Sequence, residues 1–207
     1  MAIVVAGTAI VDPRVEIGDG STVGEFAFVG AEPGEPTART LRIGAGSTIR
    51  SHSVIYLGNE IGDRFQTGHG VLVREDNVIG ADVSIGTHSI VEHHVELGDG
   101  VRIHSNAFIP EYCVIEAGGW IGPSVTFTNA RYPRSPRVKE TLRGPIVRGG
   151  AMVGANATLL PGIVIGRRAL IGAGSVVVED VPDGAVVAGN PARIIRRISD
   201  IEEYSST

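Results

Sequence analysis

The stretch Ile79-Gly-Ala-Asp-Val-Ser-Ile85-Gly-Thr-His-Ser-Ile-Val91-Glu-His-His-Val-Glu-Leu97-Gly-Asp-Gly-Val-Arg-Ile103 sets a large aliphatic residue at every sixth position. Stepping outward by six reaches Val73, Thr67, Ile61, Ile55, Ile49 and Ile43 on one side, and Ile109, Ile115, Ile121 and Phe127 on the other. Only Thr67 breaks the apolar run. The spacing recurs in a second phase from Val5 to Val29 and in a third from Val147 to Val177. Glycine often follows the aliphatic residue, as at Gly62, Gly80 and Gly86. A small or β-branched residue stands four places on, as at Val83, Ser89, Val95, Ala107 and Cys113. A helix needs a period of 3.6, and an ordinary sheet a period of two without forced corners. Six residues give a short strand with two inward side chains and one corner, where Gly, Asn and Asp tolerate positive φ. Three such strands close a triangular coil of eighteen residues. Coils stack at about 4.8 Å, and the aliphatic columns form one dry core.

Composition agrees. Twenty-nine glycines in 207 residues are roughly twice the usual share, while 43% hydrophobic residues exclude general disorder. A net charge of −5 gives no pull toward nucleic acid or an anionic membrane. A single cysteine forms no internal disulfide and suits a reducing, cytoplasmic setting. The apolar start lacks a basic lead and is stopped by Asp12-Pro13, which reads as neither signal peptide nor membrane span.

Two segments interrupt the period. The first, at about 30–42, holds Pro33 and Pro36. The second, at about 129–146, carries Arg131, Arg134, Arg137, Lys139 and Arg143 against Glu140 alone. It reads either as a solvated excursion or as a basic arm that grips phosphates. The coil is expected over 1–190. Asn190-Pro191 then reads as the start of a capping helix over 191–204, with Ile194, Ile195, Ile198 and Ile201 plugging the open end.

Residues eighteen apart should stack. Gly70, His88, Asn106 and Ser124 form one polar column, flanked by His69, Thr87, Ser105 and Pro123. Glu75, His93, Glu111 and Asn129 form a second on the next face, beside the basic segment.

The hexad pattern resembles the hexapeptide-repeat acyltransferases, whose all-β coil is a left-handed parallel β-helix. The handedness comes from this resemblance, since crossovers are normally right-handed. Ile121-Gly-Pro-Ser-Val-Thr-Phe-Thr-Asn-Ala-Arg-Tyr-Pro-Arg-Ser is similar to a segment of the N-acetyltransferases that modify nucleotide-linked 3-amino sugars. Val153-Gly-Ala-Asn-Ala-Thr-Leu-Leu-Pro-Gly, Ile171-Gly-Ala-Gly-Ser-Val-Val and Gly189-Asn-Pro-Ala-Arg match as well, although most hexapeptide acyltransferases share these.

The resemblance implies acetyl transfer from acetyl-CoA, as co-substrate, to the amine of a dTDP- or UDP-linked amino sugar, in a homotrimer and without metal. It places Asn106 beside the amine; by register, His88 below it or Glu111 on the adjoining face would take the proton. His69, His93, Asn129 and Arg134 would contact the sugar nucleotide. The corners at Gly154, Ala155, Gly172, Ala173 and Gly174 would face the pantetheine arm, and Arg193, like Arg134, would suit phosphates. The chain departs from the pattern in having His104-Ser105-Asn106 where paired Asn residues are common, and His88 where Asn is usual. Two other readings stand beside this one. A zinc-dependent γ-type carbonic anhydrase would use His88, His93 and His69, although these fall one place late in the hexad for that family. A non-catalytic scaffold would use the coil alone.

Overall fold

The computed structural model describes residues 2–34 and 39–204. The hexads form strands, mostly of two residues, each ended by a corner. Gln66 lies beside Ser84 and Thr67 beside Ile85; Ser84 in turn lies beside Arg102 and Ile85 beside Ile103. That shift is the eighteen residues the period requires. Three sheets of eleven, nine and eight strands result. Here they are sheets I, II and III, represented in one coil by Ser84–Ile85, Ile90–Val91 and Glu96–Leu97. The molecule is a left-handed parallel β-helix.

Both excursions show as breaks in the shift. Thr22 pairs with Thr48 and Trp120 with Met152, shifts of 26 and 32 that loop out 8 and 14 extra residues. The first leaves after Ala31 and returns at Leu41, with residues 35–38 outside the described residues. The second leaves after Phe127 and returns at Ile146, with one 3-10 turn at Val138–Glu140.

The inward columns are dry. Ile49, Ile85, Ile103, Ile121 and Val153 are at most 2% exposed, and Val83, Val95, Val101 and Cys113 are fully buried between them. The glycine after each aliphatic residue serves close approach, not positive φ. A Cβ on Gly86 would lie 2.4 Å from the Ser105 nitrogen, and one on Gly68 would lie 2.3 Å from that of Thr87. The left-handed corner comes two residues later, at Arg64, Asp82, His88, Asn106 and Ser124.

Residues 191–204 do not form the expected capping helix. Ala192–Arg197 is a strand that folds back antiparallel on Ala185–Gly189, and two 3-10 turns follow at Ile198–Asp200 and Glu202–Tyr204. Sheet I would otherwise end with an open row of N–H and C=O groups, and a hairpin satisfies them where a helix would not. Gly189, at φ +103°, makes the turn. Side chains alternate along a strand, so the isoleucines form no plug. Ile194 and Ile195 are exposed, and only Ile198 is buried, against Gly184. Among the described residues no helix is long and apolar enough to cross a membrane.

Candidate functional site

The first polar column and the glycine-rich late corners lie on one edge, where sheet I turns into sheet II. A ladder of backbone hydrogen bonds runs up it: His88 N–H to His69 C=O at 2.9 Å, Asn106 to Thr87 at 2.9 Å, Ser124 to Ser105 at 2.9 Å, Asn156 to Pro123 at 2.9 Å and Gly174 to Ala155 at 2.8 Å. His52, Gly70, His88, Asn106, Ser124, Asn156 and Gly174 all have φ between 57° and 69°. Corner conformation thus accounts for much of the Gly, Asn and His content here, because these residues tolerate the left-handed region. Asn106 and His88 are exposed. The N–H groups of Thr87, Ser105, Ala155 and Ala173 meet no acceptor among the described residues, which leaves a row of donors along the edge.

His69 is held by Ser51, whose hydroxyl lies 2.8 Å from Nδ1. The His88 ring lies over Gly70, where a Cβ would be 2.7 Å from its Cδ2. It therefore leans toward the coil away from Asn106, into room that only glycine leaves.

The second column stands on the edge between sheets II and III, and three of its members, His93, Glu111 and Asn129, meet. Asn129 donates from Nδ2 to Oε2 of Glu111 at 2.6 Å, and Oε1 of Glu111 is 3.7 Å from Nε2 of His93. His93 in turn lies 2.8 Å from His94 through their Nδ1 atoms. Arg74 grips buried Glu75 through two hydrogen bonds, 2.8 and 2.9 Å, and lies over the Tyr56 ring. Burial pushes the Glu75 carboxyl up, but Arg74 outweighs it and holds the group below its ordinary value. Beneath the column Asn59 and Asn77 are buried, and the side-chain Oδ1 of Asn59 accepts from the backbone N–H of Asn77 at 2.9 Å. The basic segment springs from this edge, with its neck closed by Arg143 N–H donating to Asn129 C=O at 2.9 Å. Within it Arg137 pairs with Glu140, while Arg134 is exposed at a left-handed position.

The expected site residues therefore fall into two groups. His69, His88, Asn106 and the corners at 154–155 and 172–174 share one edge. His93, Glu111, Asn129 and the root of the basic segment share the next, and the strand Phe108–Ile109 with its corners lies between them. No hydrogen bond joins Asn106 to Glu111 among the described residues. His69 and His88 likewise stand an edge away from His93, so the three rings do not converge within one chain. Arg193 is exposed on the terminal hairpin.

A cleft of about 360 Å³ on sheet I escaped the sequence reading. Its floor is Gly68 and Gly86, and its walls are Arg50 on one side and Arg102 with His104 on the other. The sequence signal was present. Arg50 and His104 occupy the register position that glycine holds on the two coils between them, since Thr48 pairs with Gln66 and Ile85 with Ile103.

Residues 78–111 and 144–178 match the family model described as bacterial transferase hexapeptide (six repeats). A galactoside O-acetyltransferase of Lactococcus lactis is 33% identical over 115 residues, which are 52% of this chain and 55% of that protein. A 2,3,4,5-tetrahydropyridine-2,6-dicarboxylate N-acetyltransferase of Staphylococcus aureus is 43% identical over 58 residues, 28% of this chain and 24% of that protein. The chain thus spans about half or less of the length of these curated relatives. Among solved structures, LpxA of Bacteroides fragilis, a UDP-N-acetylglucosamine acyltransferase, superposes with a TM-score of 0.58 at 15% identity, covering 98% of this chain and 78% of that one. That likeness is one of fold. Hexads, eighteen-residue register and matched repeats together identify the chain as a hexapeptide-repeat protein of the left-handed β-helix class.

Proposed function

We propose that the protein transfers an acetyl group from acetyl-CoA to the amine of a nucleotide-linked amino sugar, and that it does so as a homotrimer. The observation that carries this reading is the unbroken edge that joins Asn106 to the corners at 154–156 and 172–174. Relatives named as acetyltransferases, one for a galactoside oxygen and one for a nitrogen acceptor, support acyl transfer in general. The Thr128-Asn129 segment with Pro133-Arg134-Ser135 supports an amino sugar as acceptor.

The pantetheine arm would lie along this edge, with its phosphates toward Arg193. From the coil of Gly174 to that of Asn106 is three coil steps, about 14 Å. The amine nitrogen attacks the thioester carbonyl carbon, the C–S bond breaks, and the proton lost by nitrogen goes to the departing thiolate. Asn106 orients the amine, and the unoccupied N–H groups along the edge take up charge on the carbonyl oxygen. Positioning of this kind supplies up to roughly 7–11 kcal/mol. Glu111 is the better supported proton carrier, because Asn129 and His93 fix its carboxylate. His88 is the second choice, since its ring leans away from Asn106.

The trimer follows from symmetry and surface. The outward column of sheet II is apolar, running Phe28, Val54, Leu72, Ile90, Phe108 in register. That of sheet III begins Glu16, Arg42, Glu60. Turning sheet II toward a threefold axis sets the I–II edge of one subunit beside the II–III edge of the next. Asn106 then meets Glu111 of the partner subunit, and the split site closes. A cytoplasmic location suits the lone buried thiol.

Thiol release from acetyl-CoA in the presence of dTDP- and UDP-linked amino sugars tests the reading. Release that depends on the amine is expected. No release with any amino sugar, or stoichiometric zinc bound through His69, His88 and His93, would overturn it.

A further inference from the structure

The geometry points to a diphosphate-binding site in the sheet I cleft between Arg50 and Arg102, taking a nucleoside diphosphate ester across its glycine floor. The inference deepens the proposed function, since it rests on a nucleotide-linked acceptor. Charge is the first argument. Several other outward arginines on the coil meet carboxylates: Arg42 stands 3.2 Å from both Glu16 and Glu60, Arg64 is 2.6 Å from Asp82, and Arg148 is 2.6 Å from Glu116. Arg50 and Arg102 have no carboxylate partner among the described residues, and no acid lines the cleft, in a chain whose net charge is −5. Arg50 spends one N–H on the Thr67 carbonyl at 2.5 Å, and Arg102 spends one on Nε2 of His104 at 3.2 Å. The remaining guanidinium donors are uncommitted, and such forks match phosphate oxygens.

A backbone donor is the second argument. The free N–H group of Thr87, one coil away from Asn106, belongs to a cleft residue and abuts the floor, its nitrogen 2.3 Å from where a Cβ of Gly68 would stand. The floor therefore stays bare, which lets a ligand approach backbone amides closely. Shape is the third. Arg50 and His104 are three coils apart, about 14 Å, which suits an extended diphosphate ester better than inorganic phosphate. The His104 wall is stiffened by Trp120, whose ring centroid is 4.7 Å from its own. The cleft shares His69, Thr87 and Ser105 with the I–II edge, so a ligand held there ends beside Asn106.

Calorimetric titration of the intact protein with dTDP, UDP and inorganic pyrophosphate tests the site, together with thiol-release assays on a nucleotide-linked and a free amino sugar. Nucleoside diphosphates should bind, and R50Q and R102Q should each weaken them about tenfold. R50K and R102K should retain part of the affinity, and R42Q, an equal charge change on sheet III, should leave it intact. Thermal melts establish that each variant folds. Unchanged affinity in folded R50Q/R102Q, or no nucleotide binding by the wild-type protein, would overturn the site. In either event amine-dependent thiol release from acetyl-CoA with either amino sugar would leave the acyltransfer reading standing, and its absence with both would remove that reading separately.

Discussion

Asn106 has φ of +61°, and that angle decides how its side chain should be tested. Alanine at a left-handed position costs roughly 1–2 kcal/mol of backbone strain, so N106A mixes stability with chemistry. Glycine adopts the angle freely. N106G should fold with an unchanged melting temperature and lose about 10²-fold in turnover if the amide positions the amine. Turnover within twofold of wild type would remove Asn106 from the site. Cys113 gives a second test at this scale. Burial, with Glu111 nearby, pushes its thiol well above the ordinary value. Ellman's reagent should therefore react with native protein at a small fraction of the rate seen in denaturant. Residue type was partly misleading here. Gly70, His88, Asn106 and Ser124 stood out in the sequence as chemistry, and the structure shows them first as corner residues. Arg50 was overlooked, and His104 was not linked to it, because one outward side chain replacing glycine leaves the aliphatic period intact.

At the scale of the element, the corners do most of the specifying. Gly86→Val would drive a side chain into the next coil's backbone and should cost at least about 1–3 kcal/mol, read as a fall in denaturation midpoint. Glu116 ties coils together by accepting from Arg148 at 2.6 Å and from the Gly149 N–H at 2.9 Å, with Arg167 also 3.2 Å away. The Arg148 and Gly149 hydrogen bonds hold its carboxyl below the ordinary 4.5. The unfolded chain therefore binds this proton more readily, and the stabilisation is present above about pH 4.5 and lost as pH falls through the lowered folded value. The partly exposed cluster contributes no more than about 1 kcal/mol. E116Q should melt a few degrees lower at pH 7, with the difference vanishing near pH 3. A constant difference across that range would contradict the assignment. The strands and both excursions were legible because a period of six tolerates no other closure. The C-terminal hairpin was not. Of four isoleucines at helical spacing, Ile194 and Ile195 lie on a strand and Ile198 and Ile201 in the turn beyond it, because the need to pair the open edge of sheet I outweighs local pattern, and no local signal carries that need.

For the whole molecule, the proposed activity depends on a site completed between subunits. Sedimentation should give a trimer, and L72E, which places a charge in the middle of the apolar sheet II column, should release monomers without unfolding the coil. The sequence carried both halves of the site by register, but not their separation. Positions eighteen apart say what stacks along an edge, whereas the distance between edges depends on how prisms pack against one another. The most direct test mixes two inactive variants. N106G and E111Q chains, co-refolded in equal amounts, should regain about a quarter of the wild-type rate, because one interface in four would pair an intact Asn106 edge with an intact Glu111 of the partner subunit. A mixture no more active than either variant alone would contradict the shared site.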